Sequence, residues 1–95
     1  MRISQEKQNK ISEQILAFLF ENNTKMVFTS EVAKEIARDE EFTKKLLKGL
    51  LKTNLVHEIK KNKEGISYLK RSRWRLSDSA YNFYKNHALN AQNSF

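Results

Sequence analysis

Apolar side chains recur at helical spacing along the first half of this chain, and just past Asn54 the period drops to two. Side chains repeat every 3.6 residues round a helix and alternate along a strand, so such a chain lays down a helical layer first and then a ribbon. There is no Pro and there are only two Gly, Gly49 and Gly65, so caps and short turns must separate the elements and no flexible linker divides them. With 95 residues, of which 39% are apolar, the expectation is one domain over 1–95 with one modest core.

A first helix is predicted over 4–21, with Ile11, Ile15, Phe18 and Leu19 on one face and Leu16 and Phe20 widening it. Asn22 and Asn23 should stop it, since Asn tolerates the left-handed backbone of a helix end. Met26, Val27 and Phe28 form a β-prone run too short to stand as a sheet by itself. Thr29 or Ser30 can cap a second helix carrying Val32, Ala33, Ile36 and Ala37 on one face. Asp39 reads as the cap of a third, over 40–53, that turns Phe42, Leu46, Leu47, Leu50 and Leu51 inward and shows Glu41, Lys44, Lys45, Lys48 and Lys52 outward. The alternating stretch 55–76 turns at 62–65 and reads as a two-stranded antiparallel ribbon, with Trp74 and Leu76 on one face and Arg73 and Arg75 on the other. A last helix over about 77–89 bears Ala80, Tyr81, Phe83, Tyr84, His87 and Ala88 in a broad apolar band, with 90–95 frayed. The fold class is therefore mainly α with a small antiparallel β-sheet.

The 18 Lys and Arg outnumber the 11 Asp and Glu, and their placement says more than the excess. Residues 1–40 carry net −1 and residues 77–95 are balanced, so the surplus falls between 41 and 76. Charge needed only for solubility would be spread, because clustered like charges repel; concentration points to a polyanionic partner. The chain has no Cys, which excludes a disulfide scaffold, a Cys-ligated zinc and a thiol nucleophile. His57 and His87 stand thirty residues apart without a carboxylate cluster, so no metal is expected. Glu40 and Glu41 suit the first turn of a helix better than acid–base chemistry. With no phosphate loop or nucleophile motif, the expectation is a protein that is not an enzyme and needs no cofactor. The longest apolar run, residues 15–20, is far short of the roughly 20 residues that span a bilayer, and no signal peptide is visible. A cytoplasmic protein without a membrane partner is expected.

The order of elements is that of a winged helix-turn-helix with a C-terminal helix. Thr29-Ser30-Glu31-Val32-Ala33-Lys34-Glu35-Ile36, Leu46-Leu47-Lys48-Gly49-Leu50-Leu51, Asn54-Leu55-Val56 and Arg73-Trp74-Arg75-Leu76-Ser77 occur in sequence. On these motifs, over residues 8–88, the chain resembles the small prokaryotic winged-helix transcription regulators. It departs from their pattern at Ala37 and Arg38, where a Gly and an apolar residue usually make the turn, and at Asn54, which replaces a Gly. The third helix also offers Lys where Arg, Asn or Gln would read bases.

The resemblance implies double-stranded DNA as partner, with the third helix in the major groove and the wing, about 55–76, on the flanking backbone or in the minor groove. The candidate contacts are Thr43, Lys44, Lys45, Lys48 and Lys52 on the helix and Lys60, Lys61, Lys63, Lys70, Arg71, Arg73 and Arg75 on the wing. In such regulators a terminal helix often pairs with its copy, so Tyr81, Tyr84 and Ala88 are expected at a homodimer interface. Trp74 is expected in the core rather than on a base, and no small-molecule effector is evident. The alternative is a winged-helix interaction module that binds an acidic partner within a replication or transcription complex.

Overall fold

The computed structural model describes residues 4–60 and 72–93, with side chains of the last helix described as far as His87. In order, the elements are α1 (Gln5–Glu21), β1 (Val27–Phe28), α2 (Thr29–Ile36), α3 (Glu40–Lys52), β2 (Val56–Ile59), β3 (Arg73–Leu76) and α4 (Asp78–Asn93). Ser4 caps α1 by accepting from the Lys7 amide at 3.2 Å. The helix ends at Asn22, but not through a left-handed residue as expected: Asn22 has φ −113°. Instead the side-chain amides of Asn22 and Asn23 donate to the carbonyls of Phe18 and Phe20, satisfying groups the last turn would leave open.

Neither Thr29 nor Ser30 is the cap of α2, because the helix begins one residue earlier than the sequence indicates. Phe28 holds the cap position and its amide donates to Glu31 Oε1 at 3.0 Å. That leaves the Thr29 hydroxyl to accept the indole N–H of Trp74 at 2.8 Å, forty-five residues away. Between α2 and α3 the turn stays short. Ala37 takes φ 57° and ψ 46°, the left-handed conformation that a Gly would adopt, and the Arg38 amide closes on the Ala33 carbonyl at 3.0 Å. Asn54 does the same after α3, at φ 62°.

The ribbon is one strand wider than expected. β1 pairs antiparallel with β3, Val27 against Trp74 and Phe28 against Arg73, and β3 pairs with β2 on its other side, giving the order β1-β3-β2. Val27, Val56, Trp74 and Leu76 lie on the sheet face that closes over the helices, where they join Ile11, Ile15, Leu16, Leu19, Val32, Leu47 and Leu50. Trp74 is fully buried, as expected of an aromatic alternating with Arg. α4 runs on to Asn93 rather than stopping near residue 89, since Ala88, Ala91 and Gln92 are good helix formers with no Gly or Pro among them. No helix among the described residues is long and apolar enough to cross a membrane.

Candidate nucleic-acid interface

The core fixes which way α3 points. Leu47 and Leu50 are buried beneath it, and this turns Lys44, Lys45, Lys52 and Glu41 into solvent on the outer side. Asp39 Oδ1 accepts the Phe42 amide at 2.7 Å and Glu40 and Glu41 follow in the first turn, so acids sit at the helix's positive end and Lys52 at its negative end. Thr43 does not belong to the outer face. It is fully buried, lying between the Leu47 and Leu50 rows, and its hydroxyl donates to the Asp39 carbonyl at 2.8 Å. A side chain with no exposed surface cannot reach a duplex.

Lys48 is also not the free phosphate ligand that its spacing implies. Its ammonium reaches Glu58 Oε1 of β2 at 2.7 Å and lies 5.9 Å from the centroid of Trp74. The Ser72 hydroxyl donates to the other carboxylate oxygen at 2.5 Å, and Lys60 Nζ stands 3.9 Å from it. The Glu58 side chain is only 7% exposed. Burial pushes its carboxyl pKa up, but the hydrogen bonds from Lys48 and Ser72 and the positive charges of Lys48 and Lys60 outweigh burial and hold it below its ordinary value. One carboxylate thus ties α3 to both strands at the root of the wing. The sequence carried a signal for it: Val56 points inward, so Glu58, two residues on, must share that face.

The wing cations divide. Lys60 is exposed and adjoins Lys48 across Glu58, so it extends the α3 surface. Arg73 and Arg75 do not. Trp74 and Glu58 take the sheet face toward α3, and pleat alternation sends both arginines to the opposite face. There the Arg73 guanidinium covers the Phe28 ring at 4.8 Å, and exposed Arg75 borders a hollow with Asn23, Asp78 and Tyr81. Lys61, Lys63, Lys70 and Arg71 lie outside the described residues.

On α4, Tyr81 and Tyr84 are half-buried and turn toward α1, their rings 5.6 and 5.8 Å from Phe20, so they pack against the core. Among the described side chains of this helix Phe83 is the exposed large apolar one, at 56%, and its ring lies 4.0 Å from that of His87, which is exposed too. The side chain of Ala88 is outside the described residues.

A helix-turn-helix backed by a three-stranded sheet, with a lysine face on its second helix, defines a winged-helix fold. Solved structures agree. The DNA complex of MepR from Staphylococcus aureus superposes with a TM-score of 0.66 at 16% identity, covering 90% of this chain and 62% of that one. MepR described as a transcription regulator of the efflux pump MepA gives 0.62 at 16%, covering 88% and 64%. A double mutant of ZitR from Lactococcus lactis, in its apo form, gives 0.62 at 16%, covering 94% and 64%. The chain spans less than two thirds of the length of each. No protein-family model matches the sequence, and no curated protein matches it.

Proposed function

We propose that this chain binds double-stranded DNA and regulates transcription, with α3 entering the major groove. The observation that carries the reading is the outer face of α3, where Lys44, Lys45 and Lys52 stand exposed on the second helix of a helix-turn-helix. The MepR–DNA complex, similar in fold, supports it. Lys60 adds to the same footprint, and Lys61, Lys63, Lys70 and Arg71 follow it in the sequence. Lysine is a point charge suited to phosphate, so much of the affinity is electrostatic. The functional unit is a homodimer paired through α4, with Phe83 as its exposed anchor.

A mobility-shift titration with random-sequence duplex tests the reading. Neutralising about five phosphates gives a fall of log affinity with log salt of slope near −4.5. The double substitution Lys44→Glu and Lys52→Glu should abolish the shift and leave the circular dichroism spectrum unchanged, because neither side chain is buried. A flat salt response, or full binding by the double variant, removes the assignment. Sedimentation of the chain at its monomer mass of 11.2 kDa at micromolar concentration would remove the pairing.

A further inference from the structure

Gly49 sits in the middle of α3, exposed, and a Cβ placed on it would meet nothing within 4 Å. Helices disfavour Gly, which gives up more conformational freedom than any other residue. Its backbone here is ordinary α-helix and nothing among the described residues crowds it, so the packing described does not require the missing side chain. The absence of a Cβ leaves room for something outside the chain.

That room opens into a groove of about 590 Å³ between the N-terminal half of α1 and α3. Gln5, Asn9 and Ser12 form one wall, and Lys45 and Gly49 belong to the other. Lys45 and Lys52 lie four residues before and three after Gly49, so the groove is continuous with the exposed lysine face. Gln5 Nε2 donates to Asn9 Oδ1 at 3.0 Å, which leaves Asn9 its amide nitrogen as a donor. Glu13 also lines the groove.

We infer that this groove, with Gly49 in its α3 wall, seats the sugar–phosphate backbone of one DNA strand. The inference rests on the DNA-binding reading above and extends the footprint onto α1. A helix with its side chains is about 10–12 Å across and the major groove about 12 Å wide, so an inserted α3 touches a backbone on each flank. One flank is the side of Lys48, Glu58 and Lys60; the other is this groove. Neutral amide and hydroxyl donors beside one lysine suit phosphate and sugar oxygens, which position a protein without specifying sequence. The exposed rim carries amide, hydroxyl and ammonium groups and the Glu13 carboxylate, above Leu16, Leu46, Leu50 and Leu55, on which a deoxyribose can pack; a second copy of the chain is the rival occupant that the test separates.

The test is fluorescence anisotropy of the full chain on a short random-sequence duplex across a salt series, with thermal melts of every variant. Gly49→Gln, which fills the groove from an open position, should keep the wild-type melting temperature or exceed it and weaken binding about tenfold. Lys45→Gln should lower the salt slope by about one and melt as wild type. Wild-type affinity for Gly49→Gln, alongside lost binding by Lys44→Glu with Lys52→Glu, overturns the groove and leaves the DNA reading standing. No binding by the wild-type chain overturns both. A changed sedimentation mass for Gly49→Gln at unchanged affinity assigns the groove to a second copy and also overturns the proposal. If Gly49→Gln does not fold, Asn9→Asp, exposed on α1 and outside the α3 lysine face, decides: unchanged affinity refutes the groove and leaves the DNA reading standing.

Discussion

Replacing Glu58 by Gln keeps the shape of the side chain and removes its charge, which makes it the sharpest probe of the junction between α3 and the wing. The carboxylate loses its contact to Lys48 at 2.7 Å and its longer one to Lys60 at 3.9 Å, while the Ser72 hydroxyl can still donate to the amide oxygen. A buried ion pair broken on one side costs about 3–5 kcal/mol when the remaining charge is stranded. Here it is not stranded: the Lys48 side chain is 39% exposed and that of Lys60 60%, so both ammonium groups regain water. The loss is therefore that of a charge-assisted hydrogen bond, about 1.5–3 kcal/mol at pH 7. For a domain of this size it corresponds to a drop in melting temperature of roughly 6–24 °C. Because the folded pKa of Glu58 is depressed, its contribution is complete above the unfolded carboxylate value, roughly 4.3, and fades as pH falls through the folded value. Urea unfolding followed by circular dichroism, stepped from pH 7 to pH 3, reads both effects. The gap between wild type and variant should be widest at neutral pH and close in acid. A gap below about 0.5 kcal/mol at pH 7, or one that persists unchanged at pH 3, would refute the idea that the ionised carboxylate holds this junction.

Three further substitutions probe features peculiar to this sequence. Ala37→Gly removes the Cβ from a left-handed position and should stabilise the domain by about 0.5–1 kcal/mol, seen as a higher urea midpoint; an unchanged or lower midpoint would show that the turn is not strained. Thr29→Val takes away the acceptor of the Trp74 indole N–H and should cost about 1–3 kcal/mol, with red-edge tryptophan fluorescence reporting whether the ring stays buried. Gly49→Ala should raise the melting temperature by roughly 4–8 °C, since it restores helix propensity worth about 1 kcal/mol in open space; a fall in melting temperature would mean that the position is crowded.

The order of the elements and the inward faces of the helices were legible in the sequence, as were the burial of Trp74 and the outward lysines 44, 45 and 52 of α3. Each is a local consequence: spacing along one helix or strand sets which residues share a face, and burying the apolar side exposes the other. Asn54 was marked in the same way, because Asn reaches the left-handed backbone of the Gly it replaces, whereas Ala37 takes that backbone although its side chain gave no sign of it. Only the tertiary structure decided which charges meet. Glu58 neutralises Lys48 because β2 packs beside α3, and Arg73 and Arg75 leave the lysine surface because β3 lies in a sheet whose inner face is already taken by Trp74 and Leu76. The two-residue β1 is a strand only because Val27 finds Trp74 across forty-seven residues of chain, a pairing too short to announce itself by alternation. Faces follow from periodicity within an element, whereas partners follow from how separate elements dock, and a charge pattern read along the chain cannot tell a free cation from one held by its neighbour.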